Sequence, residues 1–433
     1  MAVDLRTPRD ALSRHGALRI GAVAVAAVVV AEAGVWLLRP RGEIVNPAPV
    51  PERAYFSQAQ LSRAEDFRGT QRWIGLGALA VEGGVLVALA LWRPAPLRRG
   101  LAVAARRPIV GAAAVGAGIS LTLAVTGLPL AAVAHERARD VGLATQTFGP
   151  WLGDVAKSAA ITAGLAALGG AAAMGLIRRL GRRFWIGGAV LVVGYAVVFS
   201  WLAPVVLEPV FNKFEPLPEG KTRSEVLALG REAGVDIGQV YRVDASRRST
   251  AINAYVNGLG STKRVVIYDN ALRELDRAEL RSVVAHELGH VKGDDIWRGI
   301  LFVALIAPLG VLFVQSFGEA VVRRRGEDPR TPAALPALAL SVTLASFVLA
   351  IPGAQLSRQV EARADSFALG LTHDPRSLID LQRKAALTNV ADPDPPAVLQ
   401  FLFGSHPSTI ERIGAAVAYR RERATRPGTP AGS

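Results

Sequence analysis

The chain has 433 residues, of which 51% are hydrophobic, and a formal net charge of +14 at pH 7. Its mean hydropathy of +0.29 exceeds what a soluble enzyme of this length needs and indicates a membrane protein. The arginines gather at the ends of apolar runs, which is typical of loops that border a bilayer and argues against a nucleic-acid partner. Because the chain has no cysteine, disulfides, thiolate metal sites and cysteine nucleophiles are excluded.

Apolar stretches of about 20 residues, the length that crosses a hydrocarbon core, occur seven times along the chain. We therefore predict a mainly α, multi-pass integral protein of the cell membrane. Residues 1–207 would form an amino-terminal membrane region with five transmembrane helices, and residues 299–356 would form a transmembrane hairpin. The seven stretches are Ala17–Leu38, Trp73–Trp92, Ile109–Ala134, Ser158–Ile177, Phe184–Leu207, Gly299–Val321 and Ala333–Leu356.

The first two apolar stretches each contain one carboxylate, Glu32 and Glu82. An ionisable group inside the membrane suggests function by default, because placing it there costs free energy. No partner is evident in the sequence. The favoured interpretation is that each carboxylate binds a neighbouring helix or faces an internal cavity, and the role of both is left open.

Two polar segments, residues 208–298 and 357–422, lie outside the apolar stretches and together have the size of one domain. We expect them to form a discontinuous α+β domain that the hairpin divides. Three runs rich in β-branched and aromatic residues, Gln239–Asp244, Ala251–Gly258 and Lys263–Asp269, predict a small sheet. Residues 423–433 are predicted to be a disordered tail.

An amphipathic helix is predicted after the sheet, with Asp276 and Glu279 spaced as a capping box and Gly293 as its end. It contains the sequence HELGH, in which His286 and His290 are four residues apart and share one helical face. Two such imidazoles can bind one zinc ion. Glu287 lies about 100° around the helix, where its carboxylate can act as general base on the attacking water. This pattern predicts a zinc-dependent endopeptidase with one zinc per chain.

A catalytic zinc site needs a third protein ligand, because one position must remain open for water. No His or Asp follows HELGH at the close spacing that metzincins use. A later helix, predicted to open after the last apolar stretch, supplies an acidic pair, Glu361 and Asp365, which lie four apart and share one helical face. Glu361 would bind the metal, and Asp365 would orient a ligand imidazole.

These motifs resemble the CAAX prenyl endopeptidases and their bacterial heat-shock membrane protease relatives, which are integral-membrane HExxH metalloproteases of the gluzincin type. The resemblance extends to the NAYVNG, ARADSFAL and SHPSTIERI motifs. It implies that the strand at Asn253, Ala254 and Tyr255 pairs with the substrate backbone, which fits β-augmentation.

The same resemblance implies roles for three further residues. His406 would stabilise the oxyanion, and Arg412 would belong to the substrate-binding site. Asp295 would orient a metal ligand without binding the metal itself. Two structural alternatives stay open, because His406 could be a loop residue beside Pro407 and Asp295 could be a surface charge at a helix end.

The sequence indicates the reaction more clearly than it indicates the substrate. The resemblance implies a peptide or protein substrate that is prenylated or membrane-embedded. One alternative is quality control of membrane proteins without prenyl specificity. The other is a non-catalytic membrane scaffold, against which the presence of Glu287 between both histidines argues.

The orientation in the membrane is predicted in two opposite ways. The positive-inside rule puts the arginine-rich loops near Arg98, Arg178 and Arg323 in the cytoplasm, and seven crossings then leave the catalytic domain on the other side. The eukaryotic CAAX proteases present their catalytic domain to the cytosol, so the resemblance implies the reverse.

Overall fold

A computed structural model describes residues 8–257 and 263–425, with side chains described from residue 16. The described chain is mainly helical, with one small sheet. Its helices are α1 Pro8–Leu38, α2 Gln58–Val87, α3 Ala95–Ala104, α4 Pro108–Asp140, α5 Phe148–Leu180, α6 Phe184–Leu202, α7 Glu208–Phe211, α8 Lys221–Glu232, α9 Asp269–Glu274, α10 Arg277–Lys292, α11 Asp295–Arg324, α12 Leu335–Thr372, α13 Pro375–Thr388, α14 Ala397–Phe403 and α15 Thr409–Thr425. Its strands are β1 Phe214–Pro216, β2 Gln239–Val243, β3 Ala254–Asn257 and β4 Arg264–Tyr268.

The long apolar helices are α1, α2, α4, α5, α6, α11 and α12, and each contains all or most of one of the seven predicted apolar stretches. Six stretches of the described chain are long and apolar enough to cross a membrane, and one of them, Phe148–Phe211, contains both α5 and α6. Large apolar side chains on these helices face outward, as Leu168 (69% exposed) and Val190 (70% exposed) do, because lipid surrounds them rather than water. The multi-pass membrane architecture is confirmed.

Two of these helices extend well beyond the predicted apolar stretches. Helix α2 begins at Gln58, fifteen residues before Trp73, because Ser57 and Gln60 form a complete capping box there. Helix α12 runs unbroken for 38 residues, so the expectation that a new helix opens near Leu356 is wrong. No helix-breaking residue stands between Leu356 and Glu361, and the membrane helix therefore continues directly into the polar domain.

The sheet has four strands in the order β1-β2-β4-β3. Strands β2 and β4 are parallel, whereas β1–β2 and β3–β4 are antiparallel. The three predicted strands are present. Strand β1 was not predicted, because it has only three residues and ends in Pro216. Val240, Val265 and Ile267 are fully buried in one cluster with Val284 and Leu288 of α10, so the sheet supports the helix that contains HELGH.

The segment that connects α1 to α2 crosses the polar domain in an extended conformation. Val45 donates its backbone N–H to Ser366 Oγ at 2.9 Å, and Ala48 donates to the carbonyl of Gly414 at 3.1 Å. A Cβ atom at position 414 would lie 2.4 Å from the Ala48 carbonyl oxygen, so only glycine allows this close approach. The segment thereby connects the membrane region to α12 and α15.

Glu32 and Glu82, the two carboxylates on membrane helices, have the surroundings that the favoured interpretation expects, a neighbouring helix or an internal cavity. Glu32 Oε1 accepts a hydrogen bond from Gln355 Nε2 of α12 at 3.2 Å. Glu82 lines a cavity of about 780 Å³ between α2, α4, α5 and α12. At the other end of the chain, Arg423–Thr425 continue α15, and the rest of the predicted tail, residues 426–433, lies outside the described residues.

Candidate metal centre

Helix α10 has the boundaries that its capping residues predict. Asp276 Oδ1 accepts from the backbone N–H of Glu279 at 2.9 Å, and Glu279 Oε2 accepts from the N–H of Asp276 at 2.8 Å. The helix ends at its C-cap, Gly293. With both ends fixed, the four-residue spacing puts His286 and His290 on the face that packs against α12.

The close packing of α10 on α12 brings Glu361 to the two histidines. Gly289 allows this approach, because a Cβ atom there would lie 3.1 Å from the Cα of Ala364. The Nε2 atoms of the two imidazoles are 3.2 Å apart. Glu361 Oε2 is 3.3 Å from His286 Nε2, and Glu361 Oε1 is 3.5 Å from His290 Nε2.

This donor set fits a divalent metal ion. One ligand atom from each of the three residues lies within 4.8 Å of the other two, and ligands at about 2.0–2.1 Å from a tetrahedral ion are about 3.3 Å apart. Glu361 Oε2 is buried, and it makes no well-oriented hydrogen bond with its neighbours His286 Nε2 at 3.3 Å and His406 Nδ1 at 2.8 Å. Because a buried carboxylate oxygen without a well-formed hydrogen bond is costly, its position among imidazole nitrogens fits that of a metal ligand.

His286 is supported by a buried ion pair. Its Nδ1 lies 2.9 Å from Asp365 Oδ1, which fixes the tautomer with Nε2 free to bind a metal. Asp365 is held by Arg412, whose Nε and Nη2 donate to the two carboxylate oxygens at 2.7 and 2.6 Å. Burial by itself lowers the pKa of His286, but the charge and hydrogen bond of Asp365 outweigh burial and raise the pKa to about 10.

His290 has a second support of the same kind at the junction of α10 and α11. Its Nδ1 lies 3.0 Å from Asp295 Oδ2. Arg363 of α12 donates from Nη2 to the same carboxylate oxygen at 2.6 Å and to the carbonyl of Gly289 at 2.8 Å. Asp294 has a left-handed backbone (φ 52°), which turns the chain so that Asp295 lies beside the imidazole. Asp295 is therefore not a free surface charge.

Glu287 lies between the two histidines in sequence and is half-buried. Burial raises the pKa of its carboxyl, while the nearby charges of His286 and His290 oppose this shift. A general base needs a raised pKa together with access to the reacting water. The raised pKa and the partial exposure of this carboxylate fit the predicted role.

His406 lies on the loop between α14 and α15, and its side chain is 59% exposed. Its Nδ1 is 2.8 Å from Glu361 Oε2. Arg358 of α12 holds this loop by donating from Nη1 to the carbonyls of Gln400 and Gly404, at 3.1 and 2.5 Å. His406 therefore borders the candidate metal centre from the solvent side.

Arg412 is only 16% exposed and lies behind His286. Its guanidinium donates hydrogen bonds to both oxygens of Asp365, and its Nη2 also lies 3.4 Å from His286 Nδ1. These contacts fit a residue that orients a metal ligand. The substrate-binding role that the resemblance implies stays a prediction.

The predicted substrate strand, β3, is an edge strand of the sheet. It pairs with β4 on one side, in the register Ala254 to Ile267, and the described chain supplies no strand on its other side. Tyr255 donates its hydroxyl to Glu208 Oε2 at 2.7 Å, and burial and this carboxylate raise the pKa of the phenol. Asn253, just before the strand, is exposed. Gly258 of the NAYVNG motif lies outside the described residues.

Three arginines at the centre were missed in the sequence. Arg358 and Arg363 flank Glu361 on α12, and Arg298 donates from Nε to Asp295 Oδ1 at 3.2 Å. The spacing of Arg358, Glu361 and Asp365 on one helix was the available signal. It was too weak to use, because arginines are common on the polar ends of membrane helices.

Comparisons with known proteins identify related metalloproteases. Residues 216–420 match the family model described as peptidase family M48, and residues 45–213 match the one described as CAAX prenyl protease N-terminal, five membrane helices. An uncharacterized metalloprotease of Bacillus subtilis, YhfN, is 30% identical over 300 residues, which are 68% of this chain and 70% of the relative.

A CAAX prenyl protease 1 homolog of Oryza sativa subsp. japonica is 31% identical over 232 residues, covering 51% of this chain and 52% of that protein. Among solved structures, the crystal structure of S. mikatae Ste24p matches with a TM-score of 0.74 at 18% identity. The match covers 92% of this chain and 98% of the Ste24p chain. At this identity the likeness shows a shared fold.

Proposed function

Because this chain belongs to peptidase family M48 and is a multi-pass membrane metalloendopeptidase, we propose that it hydrolyses peptide bonds with a zinc ion bound by His286, His290 and Glu361. The single observation that carries this proposal is the convergence of their ligand atoms within 4.8 Å of one another. Two imidazoles and one carboxylate are the donor set of a catalytic zinc site in which the fourth position stays open. Cysteine ligands are absent from the sequence, which fits the same chemistry.

A bound zinc ion would lower the pKa of water and polarise the scissile carbonyl. The other roles in the proposal belong to protein side chains. Glu287 accepts the proton of the attacking water on its carboxylate and delivers it to the leaving amine. Its raised pKa supports this role, since a more basic carboxylate accepts the proton of water more readily.

His406 is proposed to donate a hydrogen bond to the substrate carbonyl oxygen as negative charge develops there. Its position beside Glu361 and its exposed imidazole support this role. Asp365 and Arg412 orient His286, whereas Asp295, Arg363 and Arg298 orient His290. In this proposal these five residues act through the metal ligands that they hold, and the predicted substrate-binding role of Arg412 would be additional.

The open edge of β3 is proposed to bind the substrate as an added strand. The backbone N–H and C=O groups of Asn253, Ala254 and Tyr255 would read an extended peptide without requiring particular side chains. Strand β3 lies against α10 in the domain core, so a peptide along this edge would run beside the metal ligands.

Peptide and protein substrates follow from the family, and prenylated ones are a further proposal. Relatives named CAAX prenyl protease 1 in Oryza sativa and Arabidopsis thaliana support it. Backbone recognition by β3 supports the alternative, cleavage of unprenylated membrane proteins.

The test is a cleavage assay on the purified full-length protein with two peptides of identical sequence, one prenylated and one not. We expect Glu287→Gln to abolish cleavage of both peptides and to retain zinc, measured by elemental analysis of the same sample. Glu274→Gln, at an exposed position of α9, is the matched control and should cleave as the wild type does. Undiminished cleavage by Glu287→Gln would remove it as the general base, and equal rates on the two peptides would remove prenyl specificity.

A further inference from the structure

The positive charge of the protein is concentrated in three short connections between membrane helices. Residues 93–107, 178–183 and 323–330 together contain thirteen arginines and two carboxylates. The two polar segments 208–298 and 357–422 contain 22 basic and 22 acidic residues, so the catalytic domain has no net charge. The whole net charge of +14 therefore lies outside that domain.

The structure gathers the three connections at one end of the membrane helices, which we call the arginine end. Arg93 pairs with Glu327, which joins the α2–α3 turn to the α11–α12 connection. Arg178 donates to the carbonyl of Arg330 at 3.1 Å, which brings the α5–α6 connection to the same place. These contacts hold arginines from all three connections on a single face.

The metal centre lies at the opposite end of the helices. Helix α11 begins beside HELGH, where Arg298 donates to the carbonyl of Leu38 at the end of α1, and it reaches the arginine end only at Arg324. The α4–α5 connection also lies at the metal end, since Thr145 Oγ1 donates to the carbonyl of Ser246 at 2.8 Å. A full membrane span thus separates the metal centre from the arginine end.

The short connections at the metal end have little charge. Residues 141–147 contain no charged side chain, and residues 39–57 contain three arginines and two glutamates. Membrane insertion retains Lys- and Arg-rich short loops in the cytoplasm, and the anionic lipids of the cytoplasmic leaflet attract such loops once they are there. The short connections thus contain thirteen arginines at the arginine end and three at the metal end.

We propose that the arginine end faces the cytoplasm and that the metal centre therefore opens on the opposite side of the membrane. Resting on the proposed function, the substrates of this protease are then extended peptide segments of membrane or exported proteins on the non-cytoplasmic side. This orientation is opposite to the one that the eukaryotic CAAX proteases imply. It follows from the charge of this chain and from the end at which the structure gathers that charge.

The absence of cysteine makes a direct test available in whole cells. Ser224→Cys introduces a thiol at an exposed position of α8 in the catalytic domain, and Ala105→Cys introduces one at an exposed position between α3 and α4 at the arginine end. Each full-length variant is treated with a membrane-impermeant maleimide before and after permeabilisation. The wild type, which has no thiol, is the control for background labelling.

We expect Ser224→Cys to be labelled equally before and after permeabilisation, and Ala105→Cys to be labelled only afterwards. The reverse pattern would overturn the proposal, as would labelling of both positions in intact cells. Labelling does not depend on catalysis, and peptide cleavage by both variants in detergent is measured alongside. Absence of cleavage in the wild type as well as in both variants would therefore count against the proposed function, whereas a reversed labelling pattern would count only against the orientation.

Discussion

The two histidines of the metal centre have matching supports of carboxylate and arginine, but these supports differ in burial and in origin. His286 is 8% exposed, and its partners Asp365 and Arg412 come from α12 and α15. His290 is 25% exposed, and Asp295 lies only five residues further along the chain. The first support joins distant parts of the domain, whereas the second is largely local.

This difference indicates that the His286 support contributes to the stability of the domain as well as to metal binding. A buried carboxylate that loses its charge leaves Arg412 without compensation, which costs more than the loss of a partly exposed partner. Asp295 is shared by Arg363 and Arg298, and both arginines also bind backbone carbonyls. The His290 support therefore retains several contacts when one is removed.

The largest effect is expected for Glu361, the residue that both histidines share. Glu361→Gln should lower metal affinity by more than about 100-fold, because even the partners behind metal ligands are worth about 10- to 100-fold. Zinc content and peptide cleavage are measured on the same preparation. Glu422→Gln, at an exposed position of α15, is the control, and full zinc occupancy in Glu361→Gln would mean that the third ligand lies elsewhere.

A smaller effect is expected for Asp365, and it concerns both zinc binding and the stability of the fold. Asp365→Asn should weaken zinc binding by about 100-fold and lower the free energy of unfolding by about 3 kcal/mol, because Arg412 stays buried without its carboxylate. Chelator titration and thermal unfolding of the metal-free protein separate the two effects. If thermal stability were unchanged, the His286 support would have no structural role and the comparison would lose its basis.

The smallest effect is expected for Asp295. Asp295→Asn should weaken zinc binding by about 10-fold with little change in thermal unfolding, since Arg363 and Arg298 keep their contacts with Gly289 and Gly293. Asp236→Asn, at an exposed position, controls for the change of charge. A loss of zinc as large as that of Asp365→Asn would show that the two supports are equivalent.

The sequence predicted the membrane helices and α10 because their signals are local. Hydropathy defines a membrane helix, and Asp276, Glu279 and Gly293 define the two ends of α10. The supports of the histidines could not be predicted in the same way. Asp295 reaches His290 only because Asp294 adopts a left-handed backbone, and Arg412 reaches Asp365 only when α12 and α15 pack together. Such contacts depend on tertiary structure.

The candidate metal ligands show the same difference between local signals and tertiary contacts. The spacing of His286 and His290 is sufficient to predict a shared metal ion, whereas Glu361 needed support from the family resemblance. The continuation of α12 from the membrane into the domain leaves no mark in the hydropathy pattern, because the end of hydrophobicity is not the end of a helix. A helix continues past the bilayer wherever no residue interrupts it and other elements bury its polar part.

The contact between Arg412 and His286 spans 126 residues of chain, and it affects how the protein is made. At a synthesis rate of about 5 to 20 residues per second, Arg412 is added on the order of ten seconds after His286. During that interval the nascent chain contains HELGH, but Glu361 and the α15 helix are still absent or undocked. The proposed metal centre is thus completed late in synthesis, after α15 has been made and has packed against α12.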